Sequence, residues 1–103
     1  NFDGLQDGFD IPLTSKISNY VKVPVIASGG AGSFEDILDV ISQTNVQAVS
    51  VSSFFHYDVC AKYNFKRSRI GNYHFLENLK KKNSKNYLKK LKIFLKQKGV
   101  NVR

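Results

Sequence analysis

The chain has 103 residues, 42% hydrophobic and 13% aromatic, which is enough for one globular domain and too apolar for a disordered segment. No apolar run approaches the roughly 18 residues of a membrane helix, and the first residues carry neither a basic nor an apolar leader pattern, so the default expectation is a cytoplasmic protein without a membrane partner. The net charge of +8 is divided unevenly: residues 1–58 hold Lys16 and Lys22 against seven carboxylates, net −5, and residues 59–103 hold fourteen basic residues against one acidic, net +13.

Residue 1 is Asn and Met is absent throughout, which reads as a chain that begins inside a longer one. The single Cys60 admits no internal disulfide and has no second Cys near it for a metal clip, so it reads as a buried or idle thiol. No cofactor motif stands out.

The first predicted element is a helix over "IPLTSKISNYVK", residues 11–22. Leu13, Ile17, Tyr20 and Val21 fall on one stripe, Asp10 is placed to cap it and Pro12 sits in its first turn. A strand follows at "VPVIAS", residues 23–28, whose continuous apolar character suits a strand covered on both faces, with Pro24 tolerable near its start. A second helix opens at Ser33, with Asp36 three residues on as a capping box and Phe34, Ile37, Leu38 and Ile41 as its apolar face. The second strand, "VQAVSVSS", runs from Val46, about 23 residues after the first. Helix, strand, helix, strand at that period predicts βα units and a parallel sheet, an α/β fold.

The last predicted element is a helix near the C-terminus. In "NSKNYLKKLKIFLKQKG" Leu88, Leu91, Phe94 and Leu95 recur at helical spacing while Lys89, Lys90, Lys92, Lys96 and Lys98 mostly fall elsewhere, and Gly99 is placed as the residue that ends it. Lysines interleaved with Tyr and Phe are also the composition of a nucleic-acid face. One packed and one solvated face account for the pattern without such a partner, so a basic nucleic-acid-binding module stands last among the readings.

Parallel strands present their functional loops at their C-terminal ends. The first strand ends in Ser28, Gly29, Gly30, Ala31 and Gly32, the second in Ser52 and Ser53. Glycine lets backbone N–H groups approach a ligand closely, and a helix N-terminus beyond it adds positive dipole, so small residues at two successive strand ends point to a phosphate. In eight-stranded barrels such a site is often completed by a short extra helix, which "SSFFHYDV" would supply. Asp3, Asp7 and Asp10 lie among glycines as turn and cap residues, and Glu35, Asp36 and Asp39 fit the outside or first turn of a helix. His56 and His74 read as packed or surface imidazoles, so no catalytic residue and no metal ligand is assigned.

The stretches "DGLQDGFD" (3–10), "VPVIASGGAGSFED" (23–36), "SSFFHY" (52–57) and "YLKKLKIFLKQKGVNVR" (87–103) resemble the C-terminal part of the cyclase subunit of imidazole glycerol phosphate synthase, the HisF family. That family is a (β/α)8 TIM barrel, a lyase-type enzyme of histidine biosynthesis that takes ammonia from a glutaminase subunit and cyclises a bis-phosphorylated substrate. The resemblance implies that this chain is a partial barrel, residues 1–103, from the end of strand six to helix eight, and that its natural partner includes the N-terminal half-barrel it lacks. It implies that Gly29, Gly30, Ser52 and Ser53 bind the substrate's distal phosphate. It also implies that the two catalytic aspartates, on strands one and five, lie outside this chain, which would therefore be inactive alone. Asn1 stands where the family usually carries Asp and Leu5 where it carries Thr, departures that fall on the substrate contacts of the sixth loop. Asn1 and Ser28 complete the loop positions the resemblance brings near substrate.

Residues 58–86, with "AKYNFKRSRIGNYHFLENLKKKNSKN" at 61–86, form a Lys/Asn-rich link longer than the family's usual one. An extended link of this kind is similar to cyclase-like paralogues that conduct ammonia from a glutaminase during surface-polysaccharide synthesis. A cyclase and an ammonia-conducting scaffold thus remain alternative expectations.

Overall fold

The computed structural model describes residues 5–56, 59 and 87–103. The chain divides into two compact units, Asn1–Phe54 and Phe55–Arg103. The first contains helix α1 (Ile11–Tyr20), strand β1 (Ile26–Ser28), helix α2 (Phe34–Gln43) and strand β2 (Ala48–Ser50). The helical residues 53–56 cross from the end of the first unit into the second, and helix α3 (Tyr87–Gln97) lies in the second.

Local chemistry explains where each helix starts. Asp10 caps α1, its carboxylate accepting the Leu13 N–H at 3.0 Å, and Pro12 sits in the first turn, where its missing N–H costs nothing. Ser33 caps α2 through the complete reciprocal box: Ser33 Oγ accepts the Asp36 N–H at 3.0 Å and Asp36 Oδ2 accepts the Ser33 N–H at 2.8 Å. Glu35 and Asp36 put negative charge at the positive end of the helix dipole.

β1 and β2 pair in parallel, Ile26 against Ala48, Ala27 against Val49 and Ser28 against Ser50. The crossover between them is α2, as a parallel pair requires. Both strands are shorter than the sequence suggests. Pro24 has no N–H to give a ladder, and the pairing before Ile26 is made instead by Gln47, whose N–H donates to the Val25 carbonyl (3.0 Å) and whose Oε1 accepts the Val25 N–H (2.7 Å).

The core of this unit is Ala27, Ala31, Ile37 and Val40, with Val40 fully buried. Ile37 and Val40 lie three residues apart and so share a face of α2, which packs on both α1 and β2. The stripe expected on α2 is half right: Ile37 is buried, and Phe34, Leu38 and Ile41 are only half-buried beside it.

Two expectations are corrected. β1 is covered on one face among the described residues, since Ala27 is buried but Ile26 is 63% exposed; a continuous apolar run is silent about which of its alternating side chains will be covered. The α1 stripe of Leu13, Ile17 and Tyr20 is exposed, Tyr20 at 88%. The buried residue of α1 is Ser18, whose hydroxyl donates to the Ser15 carbonyl and accepts the Asn45 N–H, both at 3.2 Å. Asn45 also donates its side-chain amide to Asn19 Oδ1, so the seam at the start of β2 is polar. A small hydroxyl with both roles filled lets the backbones approach where a larger apolar side chain would hold them apart.

In the second unit Leu91 and Leu95 are buried, Leu88 and Ile93 exposed, and the lysines of α3 solvated. α3 ends as predicted at Gly99, φ 83°, in a Schellman motif: Val100 N–H donates to the Leu95 carbonyl and Gly99 N–H to the Lys96 carbonyl, each at 3.0 Å.

Candidate functional site

The parallel register fixes where the strand ends fall. Because Ser28 stands beside Ser50, the segment that leaves β1 through Gly29 and Gly30 and the one that leaves β2 through Val51, Ser52 and Ser53 start from the same edge of the sheet. A T-shaped contact between Phe34, the first residue of α2, and Phe54, ring centroids 5.9 Å apart, ties the two segments together again beyond the loops.

Gly29 and Gly30 both have left-handed backbones, φ 90° and 94°. An L side chain there costs about 1–2 kcal/mol per residue, so the loop path itself demands glycine. Gly30 is buried and its carbonyl accepts the Gly8 N–H at 2.9 Å; Gly29 is half-buried and Ser28 exposed. Ser52 is exposed, and Ser53 is half-buried at the start of the helical residues 53–56, where the sequence placed a short extra helix. His56 is exposed on that segment. Asn1, His74, Cys60 and all of the 58–86 link except Val59 lie outside the described residues.

Gly32 is a glycine for a different reason. A Cβ built on it would meet the Gln6 carbonyl oxygen at 2.2 Å and Gln6 Cβ at 2.8 Å, so residues 5–8 are seated directly on the glycine loop. Gln6 itself holds φ 60°, an uncommon value for a residue with a side chain. Sequence reasoning missed this strap; its only trace was the spacing of small and turn-forming residues in "DGLQDGFD".

Asp36 does more here than close a cap. Its Oδ2 accepts two N–H groups, Gly32 at 2.9 Å and Ser33 at 2.8 Å, and its Oδ1 lies 3.5 Å from where a Cβ on Gly8 would sit. Two of the amides at the entrance to α2, those of Gly32 and Ser33, are therefore engaged by the helix's own carboxylate. An anion at this edge would draw on the glycine loop and on the start of segment 53–56, while Glu35 and Asp36 already place negative charge at the N-terminus of α2. The other described carboxylates are remote in role: Asp10 caps α1, and Asp7, Glu35 and Asp39 are exposed. The arrangement offers backbone donors and small hydroxyls, which is the chemistry of holding an oxyanion. No helix among the described residues is long and apolar enough to cross a membrane.

The family described as histidine biosynthesis protein matches the chain over residues 1–61. The imidazole glycerol phosphate synthase subunit HisF of Halalkalibacterium halodurans is 53% identical over 55 residues, 53% of this chain and 22% of that protein. The proteins of the same name from Geobacillus thermodenitrificans and Geobacillus kaustophilus are 37% and 38% identical over 101 residues, 98% of this chain and 30% of each of theirs. The chain thus spans less than a third of the length of these relatives.

Proposed function

The chain belongs to the histidine biosynthesis protein family, and on that premise we propose that it forms the phosphate-holding end of a cyclase-type (β/α)8 barrel, from the end of strand six to helix eight. The proposed ligand is the distal phosphate of a bis-phosphorylated substrate, held by backbone N–H groups of Gly29 and Gly30 and by Ser52 and Ser53, with Ser28 and Asn1 at the margin of the substrate loops. The observation that carries this reading is the register: Ser28 opposite Ser50 sends a left-handed Gly-Gly turn and a pair of serines out of the same sheet edge, where open α/β sheets and barrels receive their ligands.

The relatives are named as subunits of a synthase. By that analogy the whole protein would take ammonia from a glutaminase subunit and cyclise its substrate in the cytoplasm, without a resident cofactor. This chain would supply binding and no chemistry. Its described carboxylates are committed to caps or turned to solvent, and general acid–base catalysis needs a pair that faces the substrate. The ammonia-conducting alternative rests on the 58–86 link, which lies outside the described residues; a nucleic-acid partner gains no support from α3, whose lysines form the solvated side of an amphipathic helix.

Titration with inorganic phosphate, followed by amide chemical shifts, tests the site. Shifts at Gly29, Gly30, Ser52 and Ser53 are expected. Shifts confined to the lysines of residues 80–98 would mean charge attraction alone and would refute the assignment.

A further inference from the structure

The geometry points to Asp36 as the positioning residue of the glycine loop: we propose that its carboxylate, through the residues it holds and the strap 6–8 seated beside it, sets the shape in which Gly29 and Gly30 offer their amides. This rests on the phosphate reading above and goes beyond it, because Asp36 is not itself a ligand for the anion.

The chain of contacts is continuous. Asp36 Oδ2 gathers the N–H groups of Gly32 and Ser33, which fixes the path by which the loop enters α2. Gly32, held there, is the floor on which the Gln6 carbonyl rests with no room for a Cβ between them. The same strap continues to Gly8, where an added Cβ would lie 3.5 Å from Asp36 Oδ1, and the Gly8 N–H donates to the Gly30 carbonyl at 2.9 Å. One carboxylate thereby constrains the loop from its far end and, by way of the strap, from its middle. A peptide unit whose carbonyl is held cannot rotate freely, so the Gly8 bond fixes the plane shared by the Gly30 carbonyl and the Ala31 N–H, and with it the path on which the Gly29–Gly30 turn must close.

A helix cap alone would need only the exchange between Ser33 and Asp36. The additional acceptance of the N–H of Gly32, the glycine against which the Gln6 carbonyl is seated, is what a positioning role requires and a cap does not. A negative charge at the edge of an anion site is otherwise unfavourable. Its presence is reconciled with binding by the geometry it enforces: the charge is spent on two amides of its own loop.

Three substitutions in the 103-residue chain separate the roles. Asp36→Ala removes both acceptors. Asp36→Asn keeps an oxygen that can accept the same two N–H groups but loses the charge. Ser33→Ala damages the cap from its other side and leaves the Asp36 carboxylate in place. Two quantities are read for each: the inorganic phosphate dissociation constant and the hydrogen-exchange rate of the Gly8 amide, a group that Asp36 does not hydrogen-bond. Asp36→Ala is expected to weaken phosphate about tenfold and speed Gly8 exchange about tenfold, the size of one ordinary hydrogen bond. Asp36→Asn is expected to restore Gly8 protection and bind phosphate at least as tightly as the parent. Ser33→Ala is expected to leave phosphate binding within about twofold and to speed Gly8 exchange by no more than the roughly fivefold that the loss of about 1 kcal/mol of cap stability accounts for.

If Asp36→Ala and Asp36→Asn both tighten phosphate, Asp36 acts only as a repelling charge and the proposal is wrong. It is also wrong if Ser33→Ala reproduces Asp36→Ala, since the carboxylate would then be a cap and nothing more. Failure of the parent chain to bind phosphate would refute the phosphate reading and, with it, the anion-binding half of this proposal; Gly8 exchange would still judge whether Asp36 shapes the loop.

Discussion

Replacing Gly32 by Ala is the sharpest perturbation the fold offers, because its expected cost comes from a lack of space at one defined atom. The new Cβ would lie 2.2 Å from the Gln6 carbonyl oxygen and 3.0 Å from its carbonyl carbon. Both are backbone atoms, so no flexible side-chain end can swing away; the strap must move by about an ångström to reach ordinary contact distances. Overpacking of this kind costs about 1–3 kcal/mol. The upper half of that range is expected, since Gln6 already holds φ 60° and Gly8 is tied to Gly30, leaving the strap little freedom to adjust. Gly99→Ala supplies the control: its Cβ would meet nothing within 4 Å, and the cost is the left-handed backbone alone, about 1–2 kcal/mol. Urea unfolding of both variants, with Gly8 exchange measured under native conditions, separates the two mechanisms. Gly32→Ala should lose stability and protection at Gly8 together, whereas Gly99→Ala should leave Gly8 unchanged. A Gly32→Ala variant within about 0.5 kcal/mol of the parent and with Gly8 fully protected would refute the packing argument.

Ser33→Ala should lower the stability of the first unit by about 1 kcal/mol through loss of the cap, read as a shift of the urea midpoint with unchanged slope. Ile37→Ala, at a position 2% exposed, should cost about 2–5 kcal/mol. Ile93→Ala, nearly half exposed, should stay within about 0.5 kcal/mol of the parent, and the reverse order would mean that the buried face has been misidentified. The purified chain given ammonia and the bis-phosphorylated substrate should show no cyclase turnover, since loss of acid–base groups alone removes about 10²–10⁴-fold in rate; product formation would overturn the assignment of this chain to binding only. Among the described residues β1 and β2 pair only with each other, and Val23 and Ile26 are exposed beside them, so light scattering after size exclusion should find species larger than a monomer.

The sequence was most legible where a local rule decides the outcome. Asp10, Ser33 and Gly99 end or begin helices because a side-chain oxygen or a missing Cβ satisfies backbone groups within four residues, and all three behave as expected. The parallel pair followed from periodicity and spacing in the same way. Burial was less legible, because it depends on what lies across a gap. Leu13, Ile17 and Tyr20 have helical spacing whether or not anything covers them, and the contact that orients α1 runs through Ser18 and Asn45, residues that an apolar pattern ignores. The strap over Gly32 was the least legible feature: it joins residues 6 and 32 chiefly through the Gln6 carbonyl, and backbone atoms leave no mark in a composition.

The glycines show why the candidate loop stood out in the sequence while the reasons for its glycines did not. A run of small residues after a strand suggests one cause, access for an anion, and the structure separates two others. Gly29 and Gly30 are fixed by dihedral angle, Gly32 by the carbonyl pressed against it. A loop specified twice over, by conformation and by packing, has few alternative paths open to it, and preorganisation of that kind lowers the ordering cost of binding wherever a ligand is taken up. At the opposite edge of the sheet Gln47 ties Val25 to Asn45 while Ser18 and Asn19 hold Asn45, a polar seam with no glycine in it. The N-terminal ends of the strands are thus secured by side-chain hydrogen bonds, and β1 leaves the C-terminal edge through glycines, a division that matches α/β scaffolds in which stability lies at the N-terminal edge and ligands are received at the C-terminal one.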